Sequence, residues 1–366
     1  MMTLLITCLG LLFIWVVVNS FFLPSLHKYT TSAHKEKISI LIPLRNEASN
    51  VASLVDNLKK QTYPAVEYLF LDDHSTDGTY ELLVNHCRSL KQATILKGVD
   101  LPEGWVGKVH ACHQLSEHAS GDYLFFLDAD IRIAPNTVKH LLAIASAKKA
   151  GLISGFPHFP VKTWLSTLLI PMQSFLIYVH LPLFLANFTR FSSASAAHGS
   201  FMFFSRNAYN AAGGHSSVFN SLTEDVHLMR NVKKAGERGL LLNNTKVASC
   251  FMYETNREVW EGFTKNSFPG IGRSYLLAGL VILFYSFFFI APFFMAIAGF
   301  VTATFQLILP YCLTVFISLW IDIHSRQKLW HCFLIPLASI SLLLVLLNSI
   351  RSSRKNGFVW KGRHYQ

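Results

Sequence analysis

Short apolar runs alternate with helical patterns between residues 38 and 127, and this alternation restricts the fold more than any other feature of the chain. The runs lack the period-two alternation of a half-exposed strand, so both faces of each strand are expected to be buried. Buried strands separated by helices predict an α/β domain with a mostly parallel sheet and helices on both faces. Ligands bind such sheets beyond the carboxyl ends of the strands. The predicted strands are residues 38–43, 66–71, 93–96, 122–127 and 201–205.

Long segments without charge predict that the chain is anchored in a membrane. Residues 3–23 are long enough to cross a bilayer, and they lack the basic n-region and the small-residue cleavage site of a signal peptide. We therefore predict a retained transmembrane anchor over residues 1–26. The charge-free run 275–321 predicts two spans and residues 329–347 predict another, which gives a transmembrane region over 275–349.

Basic residues predict the orientation in the membrane. Lys28, Lys35 and Lys37 follow the anchor, so the positive-inside rule places the next domain in the cytoplasm of a multi-pass protein, in a bacterial plasma membrane. Three further spans would place the basic tail, residues 350–366, outside, against the same rule. We give the charge more weight and expect one segment to be re-entrant. Nucleic acid is not an expected partner, because the basic residues are scattered and carry no nucleic-acid module signature.

Residues 164–188 form another nearly charge-free segment. If this segment crossed the membrane, it would put the two halves of the domain on opposite sides. Pro171 and Pro182 also interrupt it. We therefore predict an interfacial segment, lying in the membrane surface or covering the acceptor site.

Two pairs of carboxylates follow predicted strands. Asp72 and Asp73 follow the second strand, and Asp128 and Asp130 follow the fourth. The sheet would bring them together in an acidic crevice, where a divalent cation would offset the repulsion between Asp128 and Asp130. Mg²⁺ or Mn²⁺ binds one or two protein carboxylates and takes its other ligands from phosphate and water. The alternative is a pair of solvated loop acids that cap a helix.

Three further motifs lie at predicted loop or helix starts. Pro43, Arg45 and Glu47 follow the first strand, where they could form a site or a polar turn. Lys108 follows a glycine-containing loop and suits a phosphate, although a plain turn before a helix is the alternative. Asp225 is expected in the first turn of an amphipathic helix, whose positive end would keep it ionised, as a general base must be. The alternative for this last motif is capping-box chemistry.

The motifs together resemble those of the family 2 glycosyltransferases with a GT-A fold, over about residues 36–270. In chain order they are PxRNE, DDxSxDGT, DxD and ED. The subgroup that is similar is membrane-anchored and includes the carotenoid (diaponeurosporenoate) and hopanoid-associated glycosyltransferases. The stretches that carry this closer resemblance are GWVGKVHAC, WEGFTKN and WKGRHY.

The resemblance implies a role for each matching residue. It implies that Asp128 and Asp130 hold the metal, with Asp130 as the more direct ligand, and that Asp225 is the catalytic base. Asp73 is implied to read the uracil. Glu224 is predicted beside the base in the catalytic pair, and Trp260 and His198 are predicted on the acceptor side. The predicted nucleotide-sugar contacts are Pro43, Arg45, Glu47, Asp72, Asp73, Lys108 and Asp128.

The activity implied by the resemblance is inverting, metal-dependent transfer of one hexose to a membrane lipid. The expected donor is UDP-glucose, and the expected acceptors are a carotenoid or another isoprenoid or glycerolipid. A processive polysaccharide synthase is the alternative, but such enzymes carry QxxRW and this chain has only REVWEGF around Trp260. A non-catalytic nucleotide-sugar-binding protein is the other alternative, and the intact acids at every motif argue against it.

Overall fold

The computed structural model describes residues 2–30, 35–355, 358–360 and 363–365. The chain divides into two compact units. The first, here called the sheet unit, comprises Leu23–His158 and Leu183–Met252. The second, the helical unit, comprises Met1–Phe22, Phe159–Pro182 and Tyr253–Gln366.

Strands β1 to β9 belong to the sheet unit. Seven of them form one sheet in the order β3-β2-β1-β4-β7-β6-β8, and β5 pairs with β9 in a small antiparallel sheet. In chain order the strands are β1 Ile38–Leu44, β2 Val66–Asp72, β3 Ala93–Lys97, β4 Tyr123–Leu127, β5 Ile131–Ile133, β6 Leu152–Phe156, β7 Phe201–Ser205, β8 Gly239–Asn243 and β9 Ala248–Cys250. In the helical unit, β10 Phe358–Trp360 pairs with β11 Arg363–Tyr365.

The central sheet is mostly parallel, as predicted. Parallel pairing joins β3, β2, β1 and β4 in succession and also joins β6 to β8, whereas β7 is antiparallel to both of its neighbours. Aromatic packing fixes β4 against β7: the Phe125 ring meets the Phe201 ring edge-on at 4.8 Å, and Tyr123 stacks on Phe203 at 4.9 Å. This packing sets the end of β4, and therefore the DxD motif, beside the loop that precedes β7.

Four strands of the sheet unit were not predicted, nor were β10 and β11. They are short, and β6 and β8 contain or begin with glycine, at Gly155 and Gly239, so their sequences resemble those of loops. These short runs have little strand preference of their own, and pairing within the sheet stabilises them. For example, β6 and β8 pair with each other over five residues. The unpredicted strands of the sheet unit are β5, β6, β8 and β9.

Fourteen α-helices lie in the described part of the chain. Those of the sheet unit are α2 Ala48–Leu58, α3 Thr79–Cys87, α4 Gly107–His118, α5 Thr137–Lys148, α7 Leu183–Phe188, α8 Arg206–Ala211 and α9 Glu224–Lys234. Those of the helical unit are α1 Met2–Ser20, α6 Trp164–His180, α10 Asn256–Gly270, α11 Tyr275–Tyr285, α12 Ala291–Val301, α13 Leu309–Ser325 and α14 Ile335–Lys355.

The apolar segment 164–188 is divided between two helices, and the division falls at Pro182, one of the two prolines noted in the sequence. Pro171 lies inside α6 without ending it, and the chain leaves the helix at Leu181, which is extended because Pro182 follows. The segment is thus divided between α6 of the helical unit and α7 of the sheet unit. Its interfacial location remains a prediction.

In the part of the chain that the structure describes, four helical segments are long and apolar enough to cross a membrane, judged by length and composition. They correspond to the predicted anchor and the three predicted C-terminal spans. The segments are Met2–Ser20, Tyr275–Val301, Phe305–Ser325 and Leu329–Arg354. Of the predicted basic tail and its WKGRHY motif, residues 356–357, 361–362 and 366 lie outside the described residues.

A contact between the first and last C-terminal segments bears on the topology. Arg354 near the end of α14 donates a hydrogen bond to the Tyr275 hydroxyl at the start of α11, at 3.2 Å. Three complete crossings would place these two residues on opposite faces of a hydrocarbon layer about 30 Å thick. The contact would fit a membrane in which one of the three segments does not cross completely, and the re-entrant segment stays a prediction.

We therefore predict that a C-terminal tag lies on the same side of the membrane as α10. A cysteine placed at exposed Asn266 (Asn266→Cys) should react with an impermeant maleimide only from the side where the tag is accessible. A cysteine at Thr302, beyond the far end of α12, is the matched control and should react from the other side. Six native cysteines require comparison with the unsubstituted chain. If the tag were accessible from the same side of the membrane as the Thr302→Cys site, this topology would be contradicted.

Candidate active site

The ends of β1 and β2 carry the first predicted group of site residues. Register pairs Leu44 with Asp72, and the amide of Asp73 donates to the Leu44 carbonyl at 2.7 Å. Arg45 donates from Nη1 to the Asp73 carbonyl at 2.6 Å, so the guanidinium holds the loop after β2. Both aspartates are buried, and Oδ1 of Asp72 has no hydrogen-bond partner among the described residues. The structure thus brings this pair of acids to the strand ends as predicted.

Lys108 is the positive charge closest to the DxD motif. Its Nζ lies 2.8 Å from each carboxylate oxygen of Asp128 and 3.7 Å from Oε1 of Glu224. Burial disfavours the ammonium, but attraction to Asp128 and Glu224 outweighs it and raises the pKa of Lys108 well above its ordinary value. A lysine of this chain therefore already offsets the charge of Asp128, and the metal at Asp128 and Asp130 stays a prediction.

The position of Lys108 follows from the loop before it. Lys108 is the second residue of α4 rather than part of a flexible loop. Trp105 anchors the loop by stacking on His113 at 5.3 Å and by packing against Phe219 at 5.7 Å. The amide of Val106 also donates to the Phe219 carbonyl at 2.8 Å. These contacts hold the start of α4, and with it the ammonium, next to the end of β4.

Asp130 differs in environment from Asp128. Burial, repulsion by Asp128 and repulsion by Glu47 raise the pKa of Asp130 to about 6, against the attraction of Lys108. Its Oδ1 is buried and makes no hydrogen bond within the described residues. A hard cation could coordinate this buried carboxylate oxygen and so supply the partner that it lacks. The thiol of Cys250 in β9 hydrogen-bonds this carboxylate, and no sequence pattern pointed to that neighbour.

The acids do not form a complete metal cage. Within residues 2–30 and 35–355, no group of three His, Cys, Asp or Glu side chains could hold a metal ion. The donor set of Asp128 and Asp130 still fits Mg²⁺ or Mn²⁺, because these ions take few protein carboxylates and complete their shell with phosphate and water. The fit rests on Asp130 Oδ1, and the identity of the metal remains a prediction.

Asp225 lies in the first turn of α9, as predicted, but its ionisation differs from the prediction. Burial and repulsion by Glu224 raise the pKa of Asp225 to about 7. The amides of Val226 and Gly199 donate to its two oxygens at 2.8 and 2.9 Å and oppose this rise, as does Lys108. The start of α9 therefore orients the Asp225 carboxylate. Burial nevertheless raises the pKa so far that the helix terminus does not keep this carboxylate fully ionised. The Thr223 side chain makes no capping bond, which excludes the capping-box alternative.

Gly199 closes the site at a position that the sequence did not identify. A Cβ there would lie 3.1 Å from Oε1 of Glu224, 3.3 Å from Nζ of Lys108 and 3.6 Å from Oδ2 of Asp225. A side chain at this position would therefore push Glu224 and Lys108 away by a few tenths of an ångström, whereas glycine leaves both in place. The one sequence signal for this position was a glycine within a run of small residues. Such a glycine cannot be assigned to a site from the sequence, because long-range packing decides what lies next to it.

His198 lies next to this glycine. Its amide donates to the Ser154 hydroxyl at 2.8 Å, and its Nδ1 lies 2.7 Å from the Ser200 hydroxyl. Burial lowers the pKa of His198 to about 4, so the ring is neutral at pH 7. Trp260, the other predicted acceptor-side residue, lies in α10 of the helical unit. The acceptor-side role of both residues remains a prediction.

Comparison with known proteins shows what the chain is similar to. Residues 39–213 match the model of glycosyl transferase family 2. The chain is 25% identical over 360 residues to the 4,4'-diaponeurosporenoate glycosyltransferase of Staphylococcus aureus strain bovine RF122 / ET3-1, covering 92% of this chain and 90% of that protein. The protein of that name from strain MRSA252 is 25% identical over 354 residues, with the same coverage.

One solved structure shares the fold. The mannosyltransferase PcManGT from Pyrobaculum calidifontis, in complex with GDP-Man and Mn²⁺, superposes with a TM-score of 0.55. The superposition covers 97% of this chain and 99% of that chain at 15% sequence identity. The sheet unit therefore has the GT-A fold. Within that fold, residues 39–213 match glycosyl transferase family 2, and the chain is a glycosyltransferase.

The contacts of Gly199 give a prediction that separates geometry from stability. We expect Gly199→Ala to lower the transfer rate roughly tenfold, because the methyl group forces Glu224 and Lys108 to shift by a few tenths of an ångström. The melting temperature should change little. Gly279→Ala is the matched control, since a Cβ at Gly279 meets no atom within 4 Å, and it should retain full activity. Equal rates for the two variants would contradict the assignment of Gly199 to the site.

Proposed function

We propose that the chain transfers one hexose from a UDP-hexose, with UDP-glucose as the expected donor, to a membrane lipid with inversion at the anomeric carbon. The observation that carries this proposal is the convergence of Asp128, Lys108, Glu224 and Asp225 within hydrogen-bonding or ion-pair distance around Gly199. One side of this cluster suits a diphosphate and the other suits proton transfer. The convergence occurs at the carboxyl ends of the strands, where such sheets bind ligands.

The donor would occupy the side formed by the ends of β1, β2 and β4. Asp128 and Asp130 would hold a divalent cation, which when bound supplies Lewis-acid stabilisation of the leaving diphosphate. Lys108, already within reach of this edge, would contact a phosphate oxygen. Pro43, Arg45, Glu47, Asp72 and Asp73 are the proposed lining of the nucleotide site, with Asp73 reading the uracil.

The acceptor would be activated by Asp225. A buried carboxylate with a pKa of about 7 is a strong enough base to accept a proton from an acceptor hydroxyl near neutral pH. The two backbone amides fix its oxygens, so the lone pair is aimed before the acceptor arrives. The activated oxygen attacks the anomeric carbon from the face opposite the diphosphate, which inverts the configuration.

A lipid is the proposed acceptor. The four apolar helical segments and the similarity to proteins named diaponeurosporenoate glycosyltransferase both support this choice. A carotenoid carboxylic acid is ionised at neutral pH and needs little help from a base. A base such as Asp225 is more useful to a hydroxyl, so the site itself favours a hydroxyl-bearing acceptor.

The pKa of Asp225 predicts the pH dependence of transfer. Because the base acts as a carboxylate, kcat/KM should rise with pH and level off above about 7, and fall roughly tenfold per unit below that value.

Asp225→Asn should abolish transfer to a hydroxyl acceptor and leave UDP binding unchanged. Asp56→Asn removes an exposed carboxylate on α2 and should behave as wild type. Near-normal transfer by Asp225→Asn would exclude this base, and would fit an acceptor that is already ionised.

Metal binding can be tested without any acceptor. We expect Asp130→Ala to weaken Mn²⁺ binding in the presence of UDP roughly tenfold or more, measured by the loss of the free Mn²⁺ electron paramagnetic resonance signal. Asp56→Ala is the charge-matched control and should bind Mn²⁺ like wild type. If Asp130→Ala binds Mn²⁺ with unchanged affinity, Asp130 is not a metal ligand.

A further inference from the structure

Side chains of α2 bond the strand that follows the DxD motif. Among the described strands, this strand, β5, pairs only with β9. Three polar residues spaced three and four positions apart share one face of α2 and are here called the α2 polar row: Asn50, Ser53 and Asn57. Asn57 bonds β5 as a neighbouring strand would, because it accepts from the amide of Ile133 at 2.9 Å and donates to the carbonyl of Ile133 at 3.0 Å.

Arg132 of β5 holds the backbone of the DxD motif itself. Its Nη1 donates to the carbonyls of Ala129 and Ile131, at 2.8 and 2.7 Å. Ala129 lies between the two acids of the motif, and Ile131 follows the second acid. A guanidinium presents several donors in one rigid plane and can bond several acceptors at once. This single side chain therefore holds the backbone on both sides of Asp130.

The second terminal nitrogen of Arg132 joins this turn to the α2 polar row. Nη2 donates to the Ser53 hydroxyl, and it donates to the carbonyl and the side-chain oxygen of Asn50 at 3.3 and 3.4 Å. Asn50 in turn donates from Nδ2 to Oε2 of Glu47 at 2.7 Å. Glu47 belongs to the proposed lining of the nucleotide site. A chain of hydrogen bonds therefore connects the DxD turn with the proposed nucleotide side.

The charge of Arg132 and its hydrogen bonds would have opposite effects on a metal at the DxD motif. Burial lowers the pKa of Arg132 and attraction to Asp130 opposes this effect, but an arginine stays charged at neutral pH. A fixed positive charge near Asp130 repels a divalent cation, so charge alone predicts tighter metal binding when Arg132 is removed. Loss of the held turn predicts weaker binding. The sign of the change therefore separates the two effects.

We propose that Arg132 is a positioning residue for the metal site, which fixes the turn around Asp130 and thereby the carboxylate that would bind the cation. This inference rests on the proposed function, because the cation at Asp128 and Asp130 is part of that proposal. Arg132 acts through the backbone of its neighbours, and it has no part in proton transfer or in the attack on the sugar.

Mn²⁺ binding tests this role without any acceptor. Purified full-length protein in detergent is titrated with Mn²⁺ in the presence of UDP, and free Mn²⁺ is followed by electron paramagnetic resonance. We expect Arg132→Met to weaken Mn²⁺ binding roughly tenfold, as happens when a group that orients a metal ligand is removed. Arg132→Lys keeps the charge but loses the planar fork, so its affinity should lie between those of Arg132→Met and wild type.

Gln61→Met is the matched control. Gln61 follows α2 and donates from Nε2 to the carbonyl of Ala134 at 3.1 Å, which is a similar contact four residues beyond Asp130. Gln61→Met should lower the melting temperature and leave the Mn²⁺ affinity unchanged. Unchanged or tighter Mn²⁺ binding by Arg132→Met would overturn the inference, and so would an equal loss of affinity in Gln61→Met.

Hydrogen–deuterium exchange distinguishes a failure of this inference from a failure of the proposed function. The backbone amides of residues 129–131 should exchange roughly tenfold faster in Arg132→Met than in wild type, because the turn loses the side chain that holds it. Gln61→Met should not change them. If wild type binds no Mn²⁺, the proposed metal site fails and the exchange rates alone decide. Equal exchange in wild type and Arg132→Met would then overturn the role of Arg132.

Discussion

The contact of the Lys108 ammonium with Asp128 and Glu224 is the interaction on which the site depends. It joins the end of β4, which carries the DxD motif, to the start of α9, which carries Asp225. Without this cation, the carboxylates would repel each other across a half-buried space where charge is poorly screened. One side chain therefore makes it possible for the proposed donor side and the proposed base to lie next to each other.

The rest of the sheet unit holds these charges at fixed distances. Phe125 and Phe201 lock β4 to β7, and β7 follows directly on the loop that contains Gly199. That glycine lets the backbone amide reach Asp225 while Lys108 and Glu224 stay in place. The consequence for function is that the pKa of Asp225 is set by burial and by neighbours from three separate elements. A carboxylate tuned in this way suits the proposed role of a base near neutral pH.

The sequence alone was sufficient for much of the fold. Uninterrupted apolar runs such as 66–71 predict buried strands because nothing in them suits a solvent-facing side, and β2 extends that run by one residue. The aspartates at the strand ends were also placed correctly. The charge state of Asp225 was not predicted correctly, because local sequence indicates a helix terminus but does not indicate burial. The pairing of Lys108 with Asp128 was missed for a similar reason, since the packing of α4 against the sheet decides it.

The central claim is that this glycosyltransferase adds a single hexose to a membrane lipid. Mass spectrometry of membrane lipids, with and without expression of the chain in a host that supplies the acceptor, tests it most directly. The account predicts one new lipid species, heavier than its precursor by one hexose residue and missing when Asp225→Asn replaces the wild type. A ladder of products with several hexoses, or a lipid profile that does not respond to the chain, would contradict it.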